Sequence, residues 1–279
     1  MNAPSFEDYE KLPKSEVAVL RGHEGPVLAV RFNHNGQYCL TCGKDRTIRL
    51  WNPHRELCIK SYEGHGQEVR DVVATVDNSR LASCGGDKQV FYWDVPTGRT
   101  IRRFRGHDGA VNSVVFGGDC SVVVTAGYDQ AVKFWDCRSQ SIDAIQTLTG
   151  FKDSVSTVRV QGTCVVAGSV DGTVRTYDVR RGRVTTDDLV QPVTFMQLSH
   201  DHRCVVAGCL DATIRLMDRA SGQVLNTFEG HTNTSLKLEC CTTNSDAYVV
   251  NTPTDTQAHP PEGEGKKKKR KEKGEGERG

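Results

Sequence analysis

Residues 22–52 read GHEGPVLAVRFNHNGQYCLTCGKDRTIRLWN, residues 64–94 read GHGQEVRDVVATVDNSRLASCGGDKQVFYWD, and residues 106–136 read GHDGAVNSVVFGGDCSVVVTAGYDQAVKFWD. The Gly-His pairs at 22, 64 and 106 step by 42, as do Asp45, Asp87 and Asp129 and the tryptophans Trp51, Trp93 and Trp135. The series continues through Asp171 and Asp211, with Tyr177 and Met217 in the tryptophan place, and a sixth unit opens at Gly230-His231. A fixed period of this length dictates architecture before any local propensity does. Within each unit, short β-branched runs alternate at period two and are broken by Gly, Asp and Asn about every ten residues. That pattern predicts about four antiparallel strands per unit.

Four strands in a period of about 40–45 residues describe one blade of a β-propeller. The GH…WD units resemble the WD-repeat family over residues 17–250. The expected fold is all-β, a WD-repeat β-propeller of five complete blades plus a partial sixth. Residues 1–16 are expected to be a flexible N-terminal segment and 251–279 a disordered basic tail. In the family each repeat begins with the outer strand of the preceding blade, so Val17–Leu20 is expected to be the outer strand of a closing blade. The family pattern would continue after Val250 into the third strand of blade six and a seventh blade. Here the chain reads NTPTDTQAHPPEGEGKKKKRKEKGEGERG, and the ring is expected to be truncated, with its closing part missing; the alternatives are a six-blade ring with a degraded closing blade and completion by a partner.

The resemblance also implies a buried hydrogen-bonded tetrad in each complete unit: His23/Thr41/Asp45/Trp51, His65/Ser83/Asp87/Trp93 and His107/Thr125/Asp129/Trp135. Unit four keeps Asp171 but has Phe151, Ala167 and Tyr177; unit five keeps Asp211 with Ala207 and Met217. Ser, His and Asp together also suggest a hydrolase. A nucleophile is needed once, at an accessible place, whereas this set recurs three times with Thr and Ser interchangeable. No GxxxxGK[ST], HExxH or GxSxG string occurs, and Cys39-x-x-Cys42 has no second pair to complete a zinc site. The expectation is a protein that is not an enzyme, with no catalytic residue, cofactor or metal.

Composition narrows the partners. The 36 Lys+Arg against 35 Asp+Glu give a formal charge of +1. Residues 252–279 carry eight of those cations and six of the anions, leaving 28 against 29 elsewhere. No global basic field for nucleic acid exists, so RNA contact is expected only indirectly or through the tail. No apolar run reaches the ~18 residues of a membrane span, and the eleven cysteines read as free thiols of a reducing compartment. The run Lys266, Lys267, Lys268, Lys269, Arg270 and Lys271 resembles a nuclear import signal, and the expected localisation is cytoplasmic and nuclear.

Because each blade His must meet its turn Asp, the loops carrying them share one rim. Lys44, Glu68, Arg70, Asn112 and Tyr128 stand beside these anchors and form the expected partner-binding rim. The strings Trp135-Asp136-Cys137-Arg138 and Tyr177-Asp178-Val179-Arg180 resemble pairs by which some WD-repeat substrate receptors dock on a cullin ligase adaptor through Arg138 and Arg180. Finally, NGQYCLTCGKDRTIRLWNP (35–53), GSVDGTVRTYDVRRG (168–182) and FEGHTNTSLKLECC (228–241) resemble the mitogen-activated protein kinase organiser branch of WD-repeat proteins. That resemblance implies a non-catalytic scaffold binding kinase-cascade components or spliceosomal proteins, with no membrane and no small-molecule substrate.

Overall fold

The computed structural model describes residues 16–230, 237, 239–243, 246 and 248–251. Blade one comprises β1 (Val27–Phe32), β2 (Cys39–Gly43), β3 (Thr47–Asn52) and β4 (Leu57–Glu63). Blade two has β5 (Val69–Ala74), β6 (Arg80–Gly85), β7 (Gln89–Asp94) and β8 (Thr100–Arg105). Blade three has β9 (Val111–Phe116), β10 (Val122–Gly127), β11 (Val132–Asp136) and a short β12 (Gln146–Leu148). Blade four runs β13 (Val155–Gln161), β14 (Cys164–Ser169), β15 (Thr173–Asp178) and β16 (Arg183–Asp188). Blade five runs β17 (Val193–Leu198), β18 (Cys204–Cys209), β19 (Ile214–Asp218) and β20 (Val224–Phe228). Each sheet is an antiparallel meander in chain order, and a sixth sheet pairs β21 (Cys240–Thr242) with β22 (Val249–Asn251).

The second strand of each blade is the centre of its core. In β2 every residue is buried, and β6, β10, β14 and β18 are buried over their last five positions. A strand enclosed on both faces reads as a continuous apolar run, which is why CLTCG, LASCG, VVTAG, VVAGS and VVAGC lack exposed polar positions. Blades then pack face to face. Leu40, Ile48 and Tyr62 of blade one join Val69, Val72, Leu81, Phe91 and Trp93 of blade two in one cluster, and such clusters repeat along the arc.

The loop after each second strand turns at the repeat Asp. Arg46, Lys88, Gln130 and Ala212 take left-handed φ of 58–64°, and among the five described turns unit four alone places a glycine there, Gly172. The conformation costs an ordinary residue of order 1 kcal/mol. The Asp carboxylate offsets it by accepting the amide two residues on, as Asp87 does from Gln89 and Asp171 from Thr173.

The first blade differs from the rest. Val72, Val114, Val158 and Met196 occupy the same register position in blades two to five and are at most 1% exposed, whereas Val30 is 46% exposed and Phe32 beside it 65%. Among the described residues no sheet covers that face. The expected outer strand Val17–Leu20 is corrected accordingly. These residues form no strand, and Val17 is almost wholly exposed. An edge segment becomes a strand only when a partner takes its amides and carbonyls, and none of the six sheets reaches it.

Candidate functional site

The three tetrads form directed chains. Trp51 Nε1 donates to Thr41 Oγ1 at 2.7 Å, His23 Nε2 lies 2.6 Å from the same oxygen, and His23 Nδ1 lies 2.7 Å from Asp45 Oδ2. In unit two the corresponding distances through Trp93, Ser83, His65 and Asp87 are 2.9, 2.8 and 2.9 Å. In unit three Trp135, Thr125, His107 and Asp129 give 2.8 Å at each step. One assignment satisfies every group: indole N–H to hydroxyl, hydroxyl O–H to Nε2, and Nδ1–H to carboxylate. The carboxylate also accepts the amide after the His: Glu24, Gly66 or Asp108.

Asp87–His65–Ser83 has the connectivity of a hydrolase triad. Yet Ser83 has no exposed surface and its oxygen is capped by Trp93, so no acyl group can approach it. Burial alone would push the Asp87 carboxyl up. The hydrogen bond from His65 and the amides of Gly66 and Gln89 outweigh it and hold the group below the ordinary carboxylate range. Among the described residues no His/Cys/Asp/Glu group could hold a metal ion. Cys39 and Cys42 are both buried, free and in one strand.

Units four and five show what the tetrad is for. With Phe151 in the histidine place, Asp171 accepts from Lys152 N, Thr173 N and Thr173 Oγ1 at 2.9, 3.0 and 2.6 Å. Asp211 likewise takes Thr213 N and Oγ1, and adds Arg215 Nη2 at 2.7 Å. The turn anchor survives and the histidine chain does not. Tyr177, standing for Trp in a unit whose hydroxyl place is taken by Ala167, is left with a buried Oη that has no partner among the described residues.

The tetrad turns define one rim. Glu68, Arg70 and Asn112 are brought together: Glu68 Oε1 accepts from Arg70 Nε and Nη2 at 3.1 and 2.9 Å, and Arg70 Nη1 donates to Asn112 Oδ1 at 2.7 Å. Asn112 passes the chain to Ser154 Oγ and Val155 O in blade four, each at 2.9 Å. Lys44 and Tyr128 stay outside this latch. Both are exposed, Tyr128 by 65%, and their side chains make no hydrogen bond or ion pair among the described residues. Val190, in the loop that replaces the GH corner of unit five, is 80% exposed at φ 65°. Sequence reasoning missed it because the loop carries no motif.

Arg138 and Arg180 sit at matching turns of adjacent blades. Both are exposed, their backbone amides bound by Asp136 and Asp178 at 2.8 and 3.1 Å. The run Lys266–Lys271 lies outside the described residues. On the rim opposite the tetrads, an apolar cavity of about 240 Å³ opens between blades one and two, lined by Tyr38, Leu40, Leu50, Ile59, Leu81 and Val95.

A polar hub among the inner strands also escaped the sequence reading. Arg31 of β1 binds Asp71 Oδ1 of β5 at 2.8 Å and clasps Glu239 at 2.5 and 2.8 Å. Asp71, fully buried, also accepts Ser113 Oγ and Val114 N. Arg159 Nε donates to Gln197 Oε1 at 2.9 Å. The signal lay in the repeat. Ala29, Asp71, Ser113, Thr157 and Phe195 share one register position, and Arg31, Val73, Val115, Arg159 and Gln197 the next on that face.

Repeated four-stranded meanders, tetrads bridging GH corner to Asp turn, and an exposed rim define a WD-repeat β-propeller, a fold family of interaction scaffolds. Family models agree: the WD domain, G-beta repeat matches residues 14–52, and the Nucleolar protein 10-like N-terminal domain matches 66–259. The chain belongs to the family of WD repeat domain-containing protein 83. It is 57% identical over 241 residues to that protein of Xenopus tropicalis, covering 86% of this chain and 77% of the relative. Against the Homo sapiens protein the identity is 49%, covering 86% and 76%. A solved structure titled "Structure of U3-55K" superposes with TM-score 0.71 at 21% identity, covering 76% of this chain and 67% of that one, a likeness of fold alone.

Proposed function

We propose that this propeller is a non-catalytic scaffold that holds protein partners, acting in a mitogen-activated protein kinase cascade, in pre-mRNA splicing as a spliceosome component, or in both. The observation that carries the reading is the tetrad rim. Tyr128 and Val190 stand exposed there, beside a Glu68–Arg70–Asn112 latch that holds its own polar groups in place. A large aromatic and an arginine on a rigid rim are the residue types that concentrate binding energy at protein interfaces. Resemblance of residues 35–53, 168–182 and 228–241 to the kinase-organiser branch supports the choice of partners.

Affinity purification of the full chain, in parallel with Tyr128→Ala and Arg70→Ala, tests it. Kinase-cascade or spliceosomal proteins should be retained by the parent chain and lost from the variants. Equal recovery from all three would overturn the rim as the docking surface. A role in both cytoplasm and nucleus belongs to the same proposal, with Lys266–Lys271 as import signal, and a reporter with that run replaced by Gln should lose nuclear signal. A second reading rests on Arg138 and Arg180, exposed at matching turns of neighbouring blades. If these dock a cullin ligase adaptor, the adaptor co-purifies with the parent chain and not with the doubly substituted Arg138→Ala/Arg180→Ala chain.

A further inference from the structure

The hub does not balance its charges locally. Arg31 satisfies both carboxylates, Asp71 and Glu239, while Arg159 finds only neutral acceptors, Gln197 Oε1 and Val158 O. Burial, then repulsion from Arg31, outweighs the longer-range attraction of Asp71 and Glu239 and depresses the Arg159 guanidinium to about 10. A second cation hangs beside it. Lys237 Nζ, from the sixth unit, lies 3.5 Å from Asn112 O in blade three and 5.6 Å from the Phe195 ring centroid in blade five. Those contacts flank blade four on both sides. Arg159 approaches the same Phe195 ring at 5.0 Å. Lys237 is only weakly engaged by a carboxylate, 3.9 Å from Glu239.

A further group in this sector has nothing to bind. Thr157 is fully buried, and its Oγ1 has no partner among the described residues. It precedes Arg159 by two residues in a regular stretch of β13, so both side chains leave the strand on one face. A buried hydroxyl without a partner carries a desolvation cost that a native fold rarely leaves uncompensated. A half-buried guanidinium that no carboxylate hydrogen-bonds, a second cation near the same aromatic ring and an idle hydroxyl donor make up the donor set of an oxyanion site.

We propose that the hub of this propeller binds a small oxyanion of the phosphate class, held by Arg159 and Lys237 and capped by the Thr157 hydroxyl. The bound anion supplies the charge that Asp71 and Glu239 give to Arg31, and it ties blade four to the sixth unit. Arg159 keeps partial exposure, which gives the anion its way in. Nothing in the scaffold reading uses these residues, so the two proposals stand or fall separately.

The test uses the full chain, free of phosphate, melted against inorganic phosphate with chloride at matched ionic strength as reference. Phosphate should raise the melting temperature saturably, by about 2 °C or more, where chloride does not. Arg159→Met should abolish the rise, and without phosphate it should cost less stability than Arg31→Met, because no carboxylate hydrogen-bonds the Arg159 guanidinium among the described residues. Thr157→Val should move the phosphate titration to about tenfold higher concentration, the worth of one hydrogen bond to a charged group. Lys237→Gln should weaken it too, and it serves as the deciding variant if Arg159→Met does not fold. A rise absent from the parent, matched by chloride, or kept by both Arg159→Met and Lys237→Gln would overturn the site.

Discussion

Arg31 and Glu239 lie 208 positions apart in the chain, yet the guanidinium of one holds the carboxylate of the other through two nitrogens, at 2.5 and 2.8 Å. The same guanidinium reaches Asp71 at 2.8 Å. Blade one therefore touches both blade two and the sixth unit at the hub, although its outward face, with Val30 and Phe32, stays bare. The first and sixth units are linked through charge at the centre and not, among the described residues, through sheet pairing at the periphery.

Replacing Arg31 with Met should be among the most damaging single changes. It leaves Asp71 without its cation in a fully buried place, and breaking such a pair from one side costs about 3–5 kcal/mol. Glu239→Gln should cost less, because Arg31 keeps Asp71. Urea unfolding of the two variants measures the difference. A midpoint for Arg31→Met equal to that of Glu239→Gln would contradict the hub as described.

The repeat made the blades legible because Asp45, Asp87 and Asp129 report a turn directly: each carboxylate binds amides a fixed number of residues away. Local chemistry of this kind is written in the chain. The hub was not legible, since Arg31 in VLAVRF and Asp71 in VRDVVA look like solvent-facing positions of alternating strands. Their meaning appears only when five inner strands are set side by side. Val190 was hidden for the opposite reason: its loop has lost the motif that marks the others. Val17–Leu20 misled because its β-branched residues fit a strand whose partner sheet the described residues do not contain.

Trp93→Phe and Tyr177→Phe remove one polar atom each from equivalent places and should have opposite outcomes. Trp93 Nε1 donates to Ser83 Oγ, itself tied to His65. Its loss weakens a satisfied buried chain and vacates part of the indole volume, so destabilisation of about 1–3 kcal/mol is expected. The Tyr177 hydroxyl is buried without a partner among the described residues, so removing it should be neutral or stabilising. Thermal melts of the two variants check the sign. A cost for Tyr177→Phe as large as that for Trp93→Phe would show that unit four has a polar chain of its own.

Val190 is a β-branched residue in the left-handed region, φ 65°, and is 80% exposed. Its side chain buries little to offset a strain of about 1 kcal/mol or more. Asp188 Oδ1 holds its amide at 2.7 Å. Val190→Asn should therefore raise stability by up to about 1 kcal/mol, since Asn tolerates this conformation. If Val190 is also part of the docking rim, the more stable variant should recover less partner. Gain in melting temperature with unchanged partner recovery would separate strain from binding.

Acid should weaken the propeller through its turn carboxylates. Burial works to raise Asp45, Asp87, Asp129 and Asp71. Histidine hydrogen bonds and turn amides in the first three, and the cations Arg31, Lys237 and Arg159 around Asp71, more than reverse it, leaving all four below the ordinary value. In the unfolded chain these groups titrate near about 3.9. As pH falls through that value the unfolded state takes up protons that the folded state refuses, and stability declines until the folded carboxyls are themselves protonated. Each such group contributes a slope of at most about 1.4 kcal/mol per pH unit. Urea midpoints should therefore drop between pH 5 and pH 3. Asp87→Asn should be less stable at neutral pH, yet lose less of its stability over that interval, because one proton-linked group is gone. An identical acid slope in parent and variant would mean that Asp87 is not held low by His65 and its turn.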